Sequence, residues 1–178
     1  MQFFKDKKIF ITGHSGFKGG WLSYLLLQAG AQIKGYALAP DTGPSLFKIL
    51  NLRDKMQSVF ADVRDAEKLQ AELTSFAPDI VLHLAAQPLV RRSYKEPVLT
   101  IQTNVTGAQN LFEAARKTPS VRVILNITSD KCYENKETGR PYCEGDHLGG
   151  FDPYSASKAM SEILTASYRN SFFNSSGA

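Results

Sequence analysis

The sequence predicts an α/β protein, an open, doubly wound parallel sheet with helices on both faces. Three observations carry that prediction. Short apolar, β-branched runs alternate with longer segments of helical periodicity, the pattern of right-handed βαβ units. The run Asp79-Ile80-Val81-Leu82-His83-Leu84 is almost continuously apolar, as a strand covered on both faces must be. A glycine-punctuated turn separates the first strand from the first helix.

The elements follow in chain order. Residues 8–12 (KIFIT) form the first strand, and the apolar run Trp21 to Leu27, closed by Gly30, forms the first helix. Residues 32–38 form the second strand and residues 39–44, rich in Pro, Gly and Asp, a loop. Ser45 caps a short helix to Leu50. Residues 57–60 are a weak third strand, and Asp65 caps a helix from Ala66 to Phe76. Residues 79–84 are the fourth strand. One long helix is expected from about Pro97 to Arg116 and a fifth strand over residues 121–128. A polar loop spans Lys131 to Pro153, and a last helix runs from near Tyr154 to about Phe172.

Bulk composition narrows the function classes. The 178 residues are 43% hydrophobic and 21% charged, the balance of one globular domain, here residues 1–178. Lys and Arg are scattered and the net charge is only +4, which argues against a nucleic-acid partner. The mild basic excess suits a doubly phosphorylated ligand. Cys132 and Cys143 have no metal-ligand spacing, so free thiols in a reducing compartment and no metal are expected. The N-terminal residues 1–8 are too charged for a signal peptide, and no apolar run approaches a membrane span. A cytoplasmic protein without a membrane partner is the expectation.

The glycine loop is Gly13-His14-Ser15-Gly16-Phe17-Lys18-Gly19, between a strand and a helix. Gly13 permits the sharp turn, Gly16 lets the backbone approach a pyrophosphate, and Gly19 lets the helix pack on the strand. The helix N-terminus then offers open N–H groups and partial positive charge to the anion. This context makes the sheet a Rossmann-type one that holds a nicotinamide dinucleotide along residues 13–19, Ser15, Phe17 and Lys18 included. His14 is expected to be a partly exposed loop side chain. The usual ribose acid is missing: residues 37–40 read Ala-Leu-Ala-Pro, with Asp41 beyond and no Arg there to favour a 2′-phosphate. NAD is therefore expected over NADP. Asp62, followed by Val63, is placed either to accept from the adenine amino group or to cap a turn. Leu84, Ala85, Ala86 and Gln87 close the fourth strand so that a cofactor can lie across its end. Asn104 either braces the sheet, or the catalytic lysine through water, or is a surface polar residue.

Tyr154 and Lys158 are four residues apart, on one face of a helix. A lysine ammonium beside a phenol favours the phenolate, which can take a hydroxyl proton as hydride leaves the same carbon. Ser129, Asp130 and Lys131 follow the fifth strand, where the carboxyl ends of a parallel sheet carry sites. They supply three proton-handling groups, or, on the plainer alternative, a capped strand end with a solvated charge pair.

With these segments assembled, the sequence resembles the nucleotide-sugar 4,6-dehydratases of the extended short-chain dehydrogenase/reductase family, and within them those acting on CDP-glucose. The resemblance rests on residues 12–19, 34–38, 83–91, 126–133 and 152–158, covering nearly the whole chain. The glycine spacing and the Tyr-Lys pair identify only the superfamily; the Ser-Asp-Lys and Ala-Ala-Gln-Pro-Leu-Val-Arg runs are more specific. Most such dehydratases have glutamate where this chain has Lys131, and the CDP-glucose branch has lysine. The resemblance implies that Tyr154, aided by Lys158 and Ser129, takes the C4 hydroxyl proton while hydride passes to NAD⁺. It implies Lys131 as the base at C5, which needs a neutral amine, and Asp130 as the acid for the departing C6 hydroxyl, before hydride returns to C6. It also implies a homodimer or higher homo-oligomer and a chain that stops before the family's C-terminal substrate domain. An epimerase or reductase of the same family, and a catalytically silent NAD-binding fragment, are the competing readings.

Overall fold

The computed structural model describes residues 2–174. Its sheet has five parallel strands in the order β3-β2-β1-β4-β5: β1 Lys8–Thr12, β2 Gln32–Ala37, β3 Gln57–Phe60, β4 Ile80–His83 and β5 Val123–Asn126. The order reverses beside β1, so the crevice at a carboxyl-end switch point falls next to the first strand. Between the strands run α1 Phe17–Gln28, α2 Leu46–Ile49, α3 Ala66–Phe76, α4 Val90–Lys95, α5 Pro97–Ile101 and α6 Gly107–Arg116; α7 Pro153–Tyr168 comes last.

The chain divides into two compact units. The first, residues 1–85 and 110–127, contains the sheet. Strand side chains alternate between its faces, and each face has its own core. Ile9, Ile11, Ile33 and Leu82 pack with Leu26 and Phe47 on one side. Phe10, Tyr36 and Val81 pack with Leu69, Leu73 and Leu111 on the other. β4 is buried at every residue, as its continuous apolar run predicts. Two further contacts tie α3 down on that second face: Lys34 Nζ meets Glu72 Oε2 at 2.5 Å from a nearly buried position, and it sits over the Phe76 ring. The second unit, residues 86–109 and 128–178, packs α4 and α5 against α7. Its long segment after β5 has a 3-10 turn at Asp130–Cys132 and an isolated antiparallel bridge between Tyr133 and Leu148.

Several boundaries differ from the sequence reading. α1 begins at Phe17, a full turn before the apolar run, because the glycine loop itself delivers the first helical residues. The helix expected over 97–116 is interrupted by a π-helical turn at Gln102–Thr106. α4 has no counterpart in the sequence reading. It is six residues long, mostly polar, and stops against Pro97, which cannot extend a helix in its preceding turn. β5 is limited to four residues. α7 is capped by Asp152, whose carboxylate accepts from the Ser155 N–H and O–H, and gives way to a second π-helical turn at Arg169–Phe173. Among the described residues no helix is long and apolar enough to cross a membrane.

Candidate active site

In the sheet-bearing unit the glycine loop is built from backbone alone. Gly13 has φ +77°, in the left-handed region, and its N–H donates to Tyr36 O at 3.0 Å. A Cβ at Gly13 would lie 2.8 Å from Ala85 N and from Leu84 C, so Leu84 and Ala85 are the main-chain wall against which the loop turns. A Cβ at Gly19 would stand 2.1 Å from Gly13 O, so α1 seats directly on the loop. Gly16 is the N-cap of α1 and no side chain caps it, which leaves first-turn N–H groups open. The Gly16 N–H closes the turn on Gly13 O at 3.1 Å. This loop has the bare backbone, close approach and open helix N-terminus that a pyrophosphate requires. Ser15 Oγ donates to Leu38 O at 2.7 Å, tying the loop to the segment that leaves β2. Phe17 and Lys18 are exposed. A cleft of about 410 Å³ lies beside them, lined by Ser15, Gly16, Phe17, Leu38–Thr42 and Pro44–Leu46. Asp41 is the one charged residue on it.

Two findings in this unit were not legible in the sequence. His14, expected to be partly exposed, is fully buried. Its ring lies over β2 at Gly35, where a Cβ would come within 2.3 Å of the imidazole, and it stacks on Phe60 and meets the edge of Phe47. Burial pushes its pKa down to about 4, partly offset by the Tyr36 main chain. The glycine at position 35, on a strand that pairs Ile11 with Gly35, makes the room that turns a loop side chain inward. Thr12 is the second. Its hydroxyl pairs with His83 Nδ1 at 2.6 Å and accepts from the N–H of Leu84 and of Ala85, joining the ends of β1 and β4 through one oxygen. A hydroxyl residue directly before the first loop glycine is the signal that could have found it.

Asp62 follows β3, and Val63 beside it is buried in the second core. The Asp62 carboxylate is gripped by Arg64: Nε reaches Oδ1 at 3.1 Å and Oδ2 at 3.0 Å, Nη2 reaches Oδ2 at 2.6 Å, and the Arg64 N–H donates to Oδ1 at 2.9 Å. Those guanidinium bonds hold the carboxyl below the usual carboxylate range. The turn-capping alternative for Asp62 therefore describes one of its bonds.

The second unit holds Ala86, Gln87, Asn104, Ser129–Lys131, Tyr154 and Lys158. Asn104 is buried in the π-helical turn. Its Oδ1 accepts from the Gln87 N–H at 2.8 Å, and its Nδ2 donates to Gln87 O at 3.1 Å and to Ser157 Oγ at 2.8 Å. It is a brace between the strand-four exit and α7, not a surface residue. Gln87 is buried and donates to Thr100 Oγ1 and Leu89 O. Tyr154 and Lys158 are buried one turn apart on α7. Ser129 N-caps the 3-10 turn, accepting from the Lys131 N–H and donating to Asp130 Oδ1 at 3.1 Å. That turn packs on α7, and Thr128 Oγ1 donates to Glu162, two turns along the helix from Tyr154. Cys132 is buried behind it, and burial raises its thiol pKa. Cys143 is exposed. No group of three His, Cys, Asp or Glu among the described residues is placed to hold a metal ion.

Comparison with known proteins places this geometry in company. The family model for GDP-mannose 4,6 dehydratase matches residues 10–174. CDP-glucose 4,6-dehydratase of Salmonella typhimurium is 50% identical over 97% of this chain and 48% of its own length. Among solved structures, UDP-glucose 4-epimerase of Thermus thermophilus in complex with NAD superposes with a TM-score of 0.80 at 28% identity, over 93% of this chain and 52% of that one. The dTDP-glucose 4,6-dehydratase DesIV of Streptomyces venezuelae, as a double mutant with NAD bound, gives 0.81 at 25% identity over the same shares. The chain spans about half the length of each.

Proposed function

We propose, because the chain belongs to the GDP-mannose 4,6 dehydratase family, that it binds NAD on residues 13–19 and is the cofactor-binding part of a nucleotide-sugar 4,6-dehydratase acting on CDP-glucose. One observation carries the reading. A buried Tyr154-Lys158 pair occupies the helix on which the Ser129-Asp130-Lys131 turn packs, so an oxidation pair and an acid/base pair belong to one unit. A sugar epimerase needs the first pair only, and the strong likeness to a CDP-glucose enzyme points the same way.

In this reading NAD supplies the hydride acceptor and donor at the sugar. The chain's own residues move protons. Tyr154 takes the proton of the C4 hydroxyl, and the Lys158 ammonium, a turn away, favours its phenolate. Ser129, anchored as the cap of its turn, turns its hydroxyl from Asp130 Oδ1 to the same oxygen. The C4 ketone acidifies the C5 proton, which Lys131 removes. Asp130 protonates the departing C6 hydroxyl, so water leaves across C5–C6. Asn104 holds the Gln87 segment on α7 while this happens. Adenine contact by Asp62 and Val63, and cofactor contact by Leu84, Ala85, Ala86 and Gln87, belong to the same reading. So do a homo-oligomer, a cytoplasmic setting and deoxysugar supply for O-antigen.

Incubation of the whole protein to which the chain belongs with NAD⁺ and CDP-glucose, UDP-glucose or dTDP-glucose tests it. The expected result is a 4-keto product absorbance with CDP-glucose foremost, and solvent deuterium at C5. Turnover of none of the three overturns the dehydratase reading; C4 inversion without deuterium at C5 replaces it with an epimerase.

A further inference from the structure

Asp130 and Lys131, the acid and the base of the reading above, stand on a short 3-10 turn and are both exposed. Exposed side chains on so short a turn do not fix their own position, so whatever anchors the turn decides where they act. The turn is anchored at both ends. Behind it, Cys132 is buried, and its carbonyl accepts from the Gly149 N–H at 2.8 Å. In front of it, Thr128, the residue before the cap Ser129, donates its hydroxyl to the Glu162 carboxylate. Glu162 is on α7, where Tyr154, Lys158 and Glu162 recur every fourth residue along one stripe. The same carboxylate lies near the rear of the turn, since its charge adds to the burial that raises the Cys132 thiol pKa. One half-buried carboxylate therefore reaches both ends of the turn from the helix that carries Tyr154 and Lys158. A hydroxyl bonded to a carboxylate is held about twice as strongly as one bonded to a neutral acceptor.

We propose that Glu162 is the positioning residue of the elimination step: by holding Thr128 it keeps the Ser129-Asp130-Lys131 turn in place against Tyr154 and Lys158. The inference rests on the dehydratase reading and deepens it. Glu162 acts through Thr128, not on substrate or cofactor. Oxidation at C4 depends chiefly on Tyr154 and Lys158, which α7 carries without help from the turn. Loss of the C5 proton to Lys131, and of the C6 hydroxyl as water with a proton from Asp130, depends on the turn itself. Releasing the turn should therefore slow the second step more than the first.

The test uses the whole protein to which the chain belongs, with NAD⁺ and CDP-glucose, as wild type, Glu162→Ala, Glu162→Gln, Thr128→Val and the Glu162→Ala/Thr128→Val pair. Circular dichroism confirms that each is folded. Glu162→Ala and Thr128→Val should each lower kcat about a hundredfold and leave KM for the sugar nucleotide little changed. In a single turnover both should build up reduced-nicotinamide absorbance that the wild type does not, because oxidation at C4 outruns elimination. The Lys131 and Cys132 amides, bonded to Ser129 Oγ and Ser129 O, should exchange hydrogen faster in both. The pair should be no worse than either single variant, since both remove one contact. Glu162→Gln keeps an acceptor for the Thr128 hydroxyl and should stay within about fivefold of wild type. Should Glu162→Ala fail to fold, Thr128→Val set against Glu162→Gln carries the same comparison. Losses that multiply in the pair, or a fall in kcat without the absorbance and the faster exchange, overturn the proposal and leave the dehydratase reading standing. A wild-type protein that turns over no sugar nucleotide overturns that reading, and the proposal with it.

Discussion

At the scale of single residues, the molecule spends its tightest geometry on positions that carry no reactive group. Gly19 is the sharpest case, because any side chain there drives into the Gly13 carbonyl at 2.1 Å. Gly19→Ala should weaken NAD⁺ binding at least a hundredfold, read by calorimetry, because α1 must move off the loop that it completes. His14 gives a different prediction. Its pKa is about 4 in the fold, against 6.5 for an ordinary histidine. The unfolded chain therefore binds the extra proton first, and the stability contributed by neutral His14 is complete above about pH 6.5 and lost as pH falls towards 4. A shift of that size is worth about 3 kcal/mol at most. Denaturant unfolding at pH 7 and pH 5 should show a drop in stability that His14→Leu removes, leaving a flatter acid limb; an identical drop in the variant would assign it to other groups. The packing role of Gly19 was legible in the glycine spacing; that of His14 was not. The glycine spacing made the loop legible, but the burial of His14 depends on Gly35, a neighbour only through β1–β2 pairing.

At the scale of elements, the strand-helix alternation and the β4 run were legible because burial on two faces leaves an unmistakable apolar pattern. α4 and the π-helical turn were not. Val90–Lys95 has too few apolar residues to show periodicity, and a π turn changes hydrogen-bond register without changing composition. The turn nonetheless places Asn104 where one side chain satisfies both backbone groups of Gln87 and reaches Ser157 on α7. Asn104→Leu strands those buried groups, at about 1–3 kcal/mol for each one left unpaired. A loss of at least about 2 kcal/mol in urea unfolding is expected, with the Gln87 amide the first to gain hydrogen exchange. A cost within experimental error would show that the brace is dispensable.

At the scale of the whole molecule, both cores follow from the alternation of residues such as Ile9, Phe10 and Ile11 between faces. The candidate site divides differently: the cofactor loop was readable as a motif, whereas Thr12 and Glu162 act through contacts between distant segments. A ligand that binds only the folded chain raises its stability by mass action, about 2.7 kcal/mol at a hundred times its dissociation constant. For a chain of 178 residues that corresponds to a melting-temperature rise of roughly 5–10 °C. NAD⁺ should produce it in the wild-type chain, and Gly13→Ala, strained at φ +77° and blocked by Ala85, should show none. An equal rise in that variant would place the cofactor away from the loop.

The contact between the His14 ring and Gly35 also constrains heredity. The two positions are twenty-one places apart in the chain but share a single volume, so they behave as one locus. A methyl group at 35 is tolerable only beside a smaller residue at 14. Gly35→Ala alone should be poorly tolerated, whereas Gly35→Ala with His14→Gly should recover much of the loss, a reciprocal epistasis that a paired substitution library would read directly.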